Sequence, residues 1–288
     1  MKGVIDFASR AYSPQNDGWV ITIGTVTLTA VLELASISHV RQICGSDAGR
    51  SLYLQGVAMN IVNNVILGPL AYQLVNELFM SEHCGSAYQV EERVFLLLPL
   101  SFLCSLLVPL WHACLFPSTH QVTGMVLCIL LGQALGYYLA HRSMHTPCMY
   151  WTHRFHHKFN KHVVPVTANA VSLAEYAVAY MMPFIVGSAV LGPDRVSMFI
   201  AVCIISLNNL LIHTPALADL SANLLPWVFV STADHIEHHR RLTCHYAAPT
   251  ISIDRLLSAV YESKGSLWDA IPAEGEGSHQ KKKVQLAG

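Results

Sequence analysis

Six apolar runs, near positions 19–38, 53–80, 94–115, 125–140, 170–191 and 196–213, alternate with polar segments along the chain. An α-helix needs roughly 17–25 apolar residues to cross a bilayer. The run at 94–115 is the most continuous, with Val94-Phe95-Leu96-Leu97-Leu98 near its start. The run at 53–80 carries Asn60, Asn63, Asn64 and Pro69, which predict a kink or a partial re-entry. The last two runs are joined by Gly192-Pro193-Asp194-Arg195, a turn sequence, and form a hairpin that leaves one side and returns to it. The pattern predicts an all-α protein, a polytopic membrane helical bundle of four to six spans.

Composition supports membrane residence. Hydrophobic residues make up 53% and charged residues 12%, against about 25% charged in an average soluble protein. So little polar surface cannot cover a globule in water. The net charge of −1 implies no bulk attraction to nucleic acid. The eight cysteines are scattered, with no C-x2-C pair, so neither a disulfide framework nor a cysteine zinc site is expected. The polar start, ending Pro14-Gln15-Asn16-Asp17-Gly18, makes the run beginning at Trp19 an anchor rather than a signal peptide. Three parts follow: membrane-anchoring helices over 1–124, a histidine-rich helical di-metal region over 125–262, and a polar tail over 263–288 that carries Lys281-Lys282-Lys283 and is expected to be disordered.

The polar segments of the second half concentrate histidine. His141 and His145 stand in H-x3-H; His153, His156 and His157 in H-x2-H-H; His235, His238 and His239 in a second H-x2-H-H. Positions i, i+3 and i+4 share a helix face, so each cluster is expected to aim its rings at one point. Imidazole is the commonest metal ligand, and eight such rings suffice for two ions. His213, which ends the last apolar run, is a further candidate ligand; His162 and His245 are candidates for a ligand or a supporting role. Single histidines such as His39, His83 and His120 read as ordinary interfacial residues. A zinc-peptidase helix would read H-E-x-x-H, but Arg142 follows His141. Neutral imidazole also binds iron, copper and nickel, so the ligand type leaves the metal open. Paired redox metals at a membrane surface suit oxygen activation for attack on a lipid.

A shared site requires all three clusters on one side of the membrane. Only seven residues separate the first two, and the hairpin at 170–213 returns the chain for the third. If all six runs span, the amino terminus shares that side. Of the 17 Lys and Arg residues, all but Arg41, Arg50 and Arg195 then lie there, which makes the histidine side cytosolic.

The order H-x3-H, seven residues, H-x2-H-H, a hydrophobic hairpin, a single His, then H-x2-H-H resembles the fatty acid hydroxylase/sterol desaturase superfamily of integral-membrane di-iron oxidases. The resemblance covers about residues 125–260. It implies two iron ions held by His141, His145, His153, His156, His157, His213, His235, His238 and His239. Glu175 looks like the acid that the family carries on the helix after the second cluster, and Asp254 like the acid of its closing segment, expected to orient a histidine. Asp234, beside the third cluster, is a further candidate for such support. The chain departs from the family at Ser172-Leu173, where His-Pro is common, at His245-Tyr246-Ala247, where Asn-Tyr-Gly is common, and around Ile253 and Leu257-Ser258.

The activity implied is O2-dependent oxidation of a membrane lipid, by hydroxylation, desaturation or epoxidation of a sterol or of squalene. A fatty acyl or sphingolipid substrate is the alternative within this class, and a histidine-lined metal transporter the alternative outside it. No G-x-G-x-x-G nucleotide fingerprint follows a strand, so no bound flavin is expected, and the short polar start suggests no fused haem-b5 domain, so no bound haem is expected either. Electrons are expected from a partner such as cytochrome b5 or an NAD(P)H-dependent reductase. The family implies residence in the endoplasmic reticulum.

Overall fold

The computed structural model describes residues 17–79 and 119–263. The apolar run at 94–115 and nearly all of the polar tail lie outside them. By internal contacts the chain divides into two compact units, Met1–Ile253 and Asp254–Gly288. The described residues form helices and connecting turns; a single bridge between Phe229 and Ile251 is the extended pairing among them.

In the first unit, α1 (Asp17–Ala35) is followed by the short α2 (Ile37–Ile43), then by α3 (Asp47–Ile61) and α4 (Gly68–Phe79), joined through a π-helical stretch at Val62–Leu67. α5 (Thr119–Met144) is the longest uninterrupted α-helix among the described residues, and α6 (Tyr150–His153) with two 3-10 turns carries the chain to α7 (Leu173–Glu175). A second π-helical stretch, Tyr176–Met181, links α7 to α8 (Met182–Leu191). α9 (Arg195–Ile212), α10 (Ala218–Leu224) and α11 (Thr232–Arg241) complete the unit, and α12 (Ile253–Ser263) is the described helix of the second.

Among the described residues, five helices are long and apolar enough to cross a membrane: 17–35, 47–78, 122–144, 173–191 and 195–212. α5 shows why they need lipid. Leu127, Leu131, Leu135 and Leu139 recur every four residues and are about half exposed, a leucine stripe that water would penalise. Its other face packs Val126, Ile129 and Leu130 against Val75, Met198, Ala201 and Ile205 of α4 and α9. The turn between α8 and α9 is set by sequence: Gly192 takes the left-handed conformation that ends α8, φ 53°. Asp194 then caps α9 by accepting the Ser197 N–H at 2.9 Å.

The direction of α1 differs from the expectation. Asp17 pairs with Arg195 at the hairpin turn, Nε to Oδ2 at 2.6 Å. At the other end of α1, Glu33 accepts the Val166 N–H at 2.6 Å and the Tyr53 hydroxyl at 3.1 Å. α1 therefore runs from the hairpin-turn side towards the histidine side, and its start lies opposite the clusters. The expected sidedness rested on six crossings. With the five described spans alternating, the loop that holds Arg41 and Arg50 falls on the histidine side, where Ile43 packs on Val164 and Val166.

The asparagines of the second run do not break the helix. The backbone widens into a π turn at Val62–Leu67 and continues, and the side chains hold the segment after the second histidine cluster. Asn60 donates to the Val166 carbonyl at 2.8 Å, and Asn63 to the carbonyls of Asn169 at 2.8 Å and Val171 at 3.0 Å. Asn169 donates to Asn64 at 2.9 Å and accepts from Asn209 of α9 at 3.0 Å. The amide donors of these residues within spans are satisfied by the irregular chain at 164–171 and by one another, as polar groups at depth require.

Candidate metal centre

Local helix geometry decides how the histidines divide. His141 and His145 are one turn apart at the end of α5. His153 ends α6, His156 and His157 open the 3-10 turn after it, His213 follows α9, and His235, His238 and His239 lie on α11. α11 begins with a reciprocal cap: Ser231 Oγ accepts the Asp234 N–H at 3.2 Å, and Asp234 accepts the Ser231 N–H at 3.2 Å and its hydroxyl at 2.8 Å. Asp234 thus fixes where the helix of the third cluster starts.

Two groups result. His141, His145, His153, His157 and His238 form one, His156, His213, His235 and His239 the other, and within each group one ligand atom per residue lies within 4.8 Å of the rest. All nine predicted histidines are in them, but the second and third clusters do not each aim at one point. Adjacent residues on a helix are about 100° apart, whereas i and i+4 nearly coincide. His235 and His239 therefore stay together while His238 crosses to the other group. His153 and His157 also stay together, across the break between α6 and the 3-10 turn, and His156 leaves. Each H-x2-H-H motif feeds both groups.

The ring nitrogens face inwards in a way that suits a cation. His141 Nδ1–H donates to the Tyr246 carbonyl at 2.7 Å, His238 Nδ1–H to the Cys244 carbonyl at 2.8 Å, and His213 Nδ1–H to the Asn209 carbonyl at 2.7 Å. A carbonyl only accepts, so in each neutral ring Nε2 is a bare lone pair. His157 Nδ1 is 2.7 Å from Asn160 Oδ1. Inside the five-histidine group, His141 Nε2 lies 2.9 Å from His153 Nε2 and 3.3 Å from His145 Nε2, and His157 Nε2 lies 3.2 Å from His145 Nε2. His238 Nε2 is buried without a hydrogen-bond partner. In the other group, His235 Nε2 is 2.9 Å from His213 Nε2 and 3.1 Å from His239 Nε2. More lone pairs converge than there are protons to share, and a bound cation answers that imbalance. The residues fit two metal ions.

Protonation does not relieve the crowding. Burial, the largest influence, pushes His145, His157 and His213 down to about 4 and His238 down to about 3. It holds His153, His156, His235 and His239 well below the ordinary histidine value, assisted by neighbouring rings. The imidazoles are therefore neutral at physiological pH, the form that binds metal.

Glu175 stands behind this centre. It is fully buried, and its Oε1 lies 2.7 Å from His153 Nδ1. The approach is close but lacks good hydrogen-bond alignment, and both carboxylate oxygens lack an aligned partner. Ser172 caps the α7 turn that presents the carboxylate, accepting the Glu175 N–H at 3.1 Å while donating to the Thr152 carbonyl at 2.5 Å. His162 and His245 are in neither donor group. Asp254 belongs to the second unit, in the first turn of α12. The sequence reading did not single out Asn160 or the carbonyls of Cys244 and Tyr246. A carbonyl's position is not encoded by residue type, so only the fold could reveal the latter two.

Residues 125–259 match the fatty acid hydroxylase family model. This segment is a fatty acid hydroxylase domain. It accords with the fatty acid hydroxylase/sterol desaturase superfamily and, at the family level, supports a membrane di-iron hydroxylase or desaturase. No curated protein and no solved structure matches the chain. The fatty acid hydroxylase domain contains both donor groups and Glu175, whereas Asn60, Asn63 and Asn64 reach it from outside the matched residues.

Proposed function

We propose that the protein is an O2-dependent di-iron oxidase of a membrane lipid, with His141, His145, His153, His157 and His238 holding one iron and His156, His213, His235 and His239 the other. The observation that carries this reading is the convergence of nine histidine side chains into two buried groups inside a fatty acid hydroxylase domain. Two irons would supply the electrons and the oxidising power for attack on an unactivated C–H or C=C bond. The chain's own part is to hold the rings neutral, fix their tautomers and keep bulk water from the centre.

A cavity of about 120 Å³ lies among the spans; it is below the roughly 300–1,000 Å³ of a ligand pocket and takes at most part of a lipid. Its lining includes Thr25, Val75, Tyr180, Phe184, Met198 and Asn209. Tyr180 meets Tyr137 edge-on, with centroids 5.5 Å apart, and Tyr137 in turn lies 5.2 Å from the His141 ring. The Asn209 carbonyl holds His213. The cavity is thus one residue, Asn209, away from the four-histidine group and two, Tyr180 and Tyr137, away from the five-histidine group. A transporter would place its ligands at mid-membrane, whereas every cluster here lies at or beyond the end of a span.

The substrate we propose is a sterol or squalene, with acyl lipids as the competing class. Electrons would come from cytochrome b5 or an NAD(P)H-dependent reductase, and the setting would be the endoplasmic reticulum. Among the described residues of the first unit, Arg41, Arg50, Arg142, Arg154, Lys158, Lys161, Arg240 and Arg241 fall on the histidine side and Arg195 on the other. This favours a cytosolic centre. The test is to purify the protein, count bound metal and follow sterol, squalene and acyl products by mass under 18O2. Two irons per chain and an oxidised sterol or squalene are expected. Oxidation of acyl lipids alone would replace the substrate class, and a chain without iron would overturn the reading.

A further inference from the structure

Between α11 and α12 the chain forms a short strap, and two of its residues have left-handed backbones without being glycine: Leu242 at φ 65° and His245 at φ 54°. Leu242 ends α11, donating its N–H to the His238 carbonyl at 2.7 Å. His245 has no such capping duty. The left-handed region disfavours a residue that carries a Cβ, and such strain persists where the surroundings demand it.

The two residues flanking His245 show what the conformation does. The Cys244 carbonyl takes the Nδ1–H of His238, and the Tyr246 carbonyl takes the Nδ1–H of His141. The φ of His245 sets the angle between the peptide bearing the first carbonyl and the chain leading to the second. The Tyr246 ring also packs on His145 and His238, with centroids 5.2 and 5.6 Å apart. Beyond it the strap is fixed by the Asn208 side chain, which donates to the Pro249 carbonyl. Ala247 to Thr250 are buried. One backbone turn therefore sets the tautomer and tilt of two of the five rings in one donor group, on helices α5 and α11 that are far apart in sequence.

We infer that His245 is a positioning residue of the five-histidine group, acting through its left-handed backbone and not through its imidazole. The inference rests on the reading of that group as a metal site, but not on iron or on lipid oxidation. Its test uses the full-length protein in detergent or nanodiscs, loaded with Co2+ or Zn2+ and challenged with a chelator. His245→Gly and His245→Ala both delete the imidazole and differ in their ease of entering the left-handed region. His245→Asn offers a side chain that tolerates it.

The Gly and Asn variants should retain both metals as the unsubstituted protein does. The Ala variant should release one of the two about tenfold faster, at the scale of the left-handed penalty. The second metal, on the four-histidine group, reports that the Ala variant is folded. Equal retention by the Gly and Ala variants would overturn the inference, as would equal loss, which would make the imidazole itself the group required. An unsubstituted chain that binds no metal would overturn both this inference and the metal reading. One that binds two metals but oxidises no lipid would leave the inference standing while the proposed function fell.

Discussion

The two donor groups have the same ligand chemistry but are braced in different ways. In the five-histidine group, four outer nitrogens meet the protein: His141 and His238 at strap carbonyls, His157 at Asn160, and His153 at Glu175. In the four-histidine group, His213 is held by the carbonyl of Asn209 one turn earlier and His156 meets the Ala170 backbone, while His235 Nδ1 and His239 Nδ1 are buried with no hydrogen-bond partner among the described residues. Those two rings depend on helix geometry instead. His235 and His239 share a face of α11, and α9 packs against α11 to deliver His213. The comparison teaches that the five-histidine group draws its polar partners from distant segments while half of the four-histidine group relies on helix packing alone, so the same substitution should act differently in each.

The largest effect should come from removing a ring. His153→Ala and His235→Ala should each cost more than the 10–100-fold typical of a supporting residue, and should leave close to one metal per chain, at opposite sites. Metal stoichiometry together with product formation checks this. If either variant lost both metals, the two groups would be one cooperative unit and the comparison would fail.

Acid should act on both groups alike, because burial and not bracing sets their protonation. Each folded-state value lies below the ordinary 6.5, so an unfolded chain takes up protons that the folded metal-free protein refuses. Stability present above pH 6.5 is therefore lost as the pH falls towards about 4, the value for His145, His157 and His213. Bound metal competes with those protons and should move the loss to lower pH. Thermal unfolding of metal-stripped and loaded protein across pH 8 to 4 measures it. Glu175→Gln should be smaller and one-sided. It should weaken metal affinity at the five-histidine group by about 10–100-fold and leave the four-histidine group unchanged, as read by chelator competition.

What could be read from the sequence follows the same division. Helical class, membrane residence and the nine histidines were legible because they depend on periodicity and residue type. The split of His156 from His157 and of His238 from His239 could have been foreseen from the 100° step between helix neighbours. The strap could not, since its chemistry is carried by backbone carbonyls; still, the histidine that stands where the family often has Asn is explained there, as both residue types enter the left-handed region more readily than most. The direction of α1 was misjudged because it follows from crossings counted by hydropathy. The contacts that settle it, Asp17 with Arg195 and Glu33 with Val166, are long-range.

The smallest predicted effect concerns the asparagines, whose presence in an apolar run looked like a helix interruption. Asn63 donates to the carbonyls of Asn169 and Val171, and the chain then passes through Ser172 to Glu175. Asn63→Ala leaves two buried carbonyls short of a donor, which should cost about 1–3 kcal/mol of stability. Because the freed segment leads to the residue behind His153, the loss should be felt in metal retention at the five-histidine group by a few-fold at most. Asn63→Asp keeps the shape but cannot donate when ionised, so it should be no better than Ala. Differential scanning of the loaded protein and chelator release from each group are the measurements. An Asn63→Ala chain that lost metal first from the four-histidine group would show that the asparagine ladder braces α9 rather than the Glu175 turn, and the contrast between the groups would have to be redrawn.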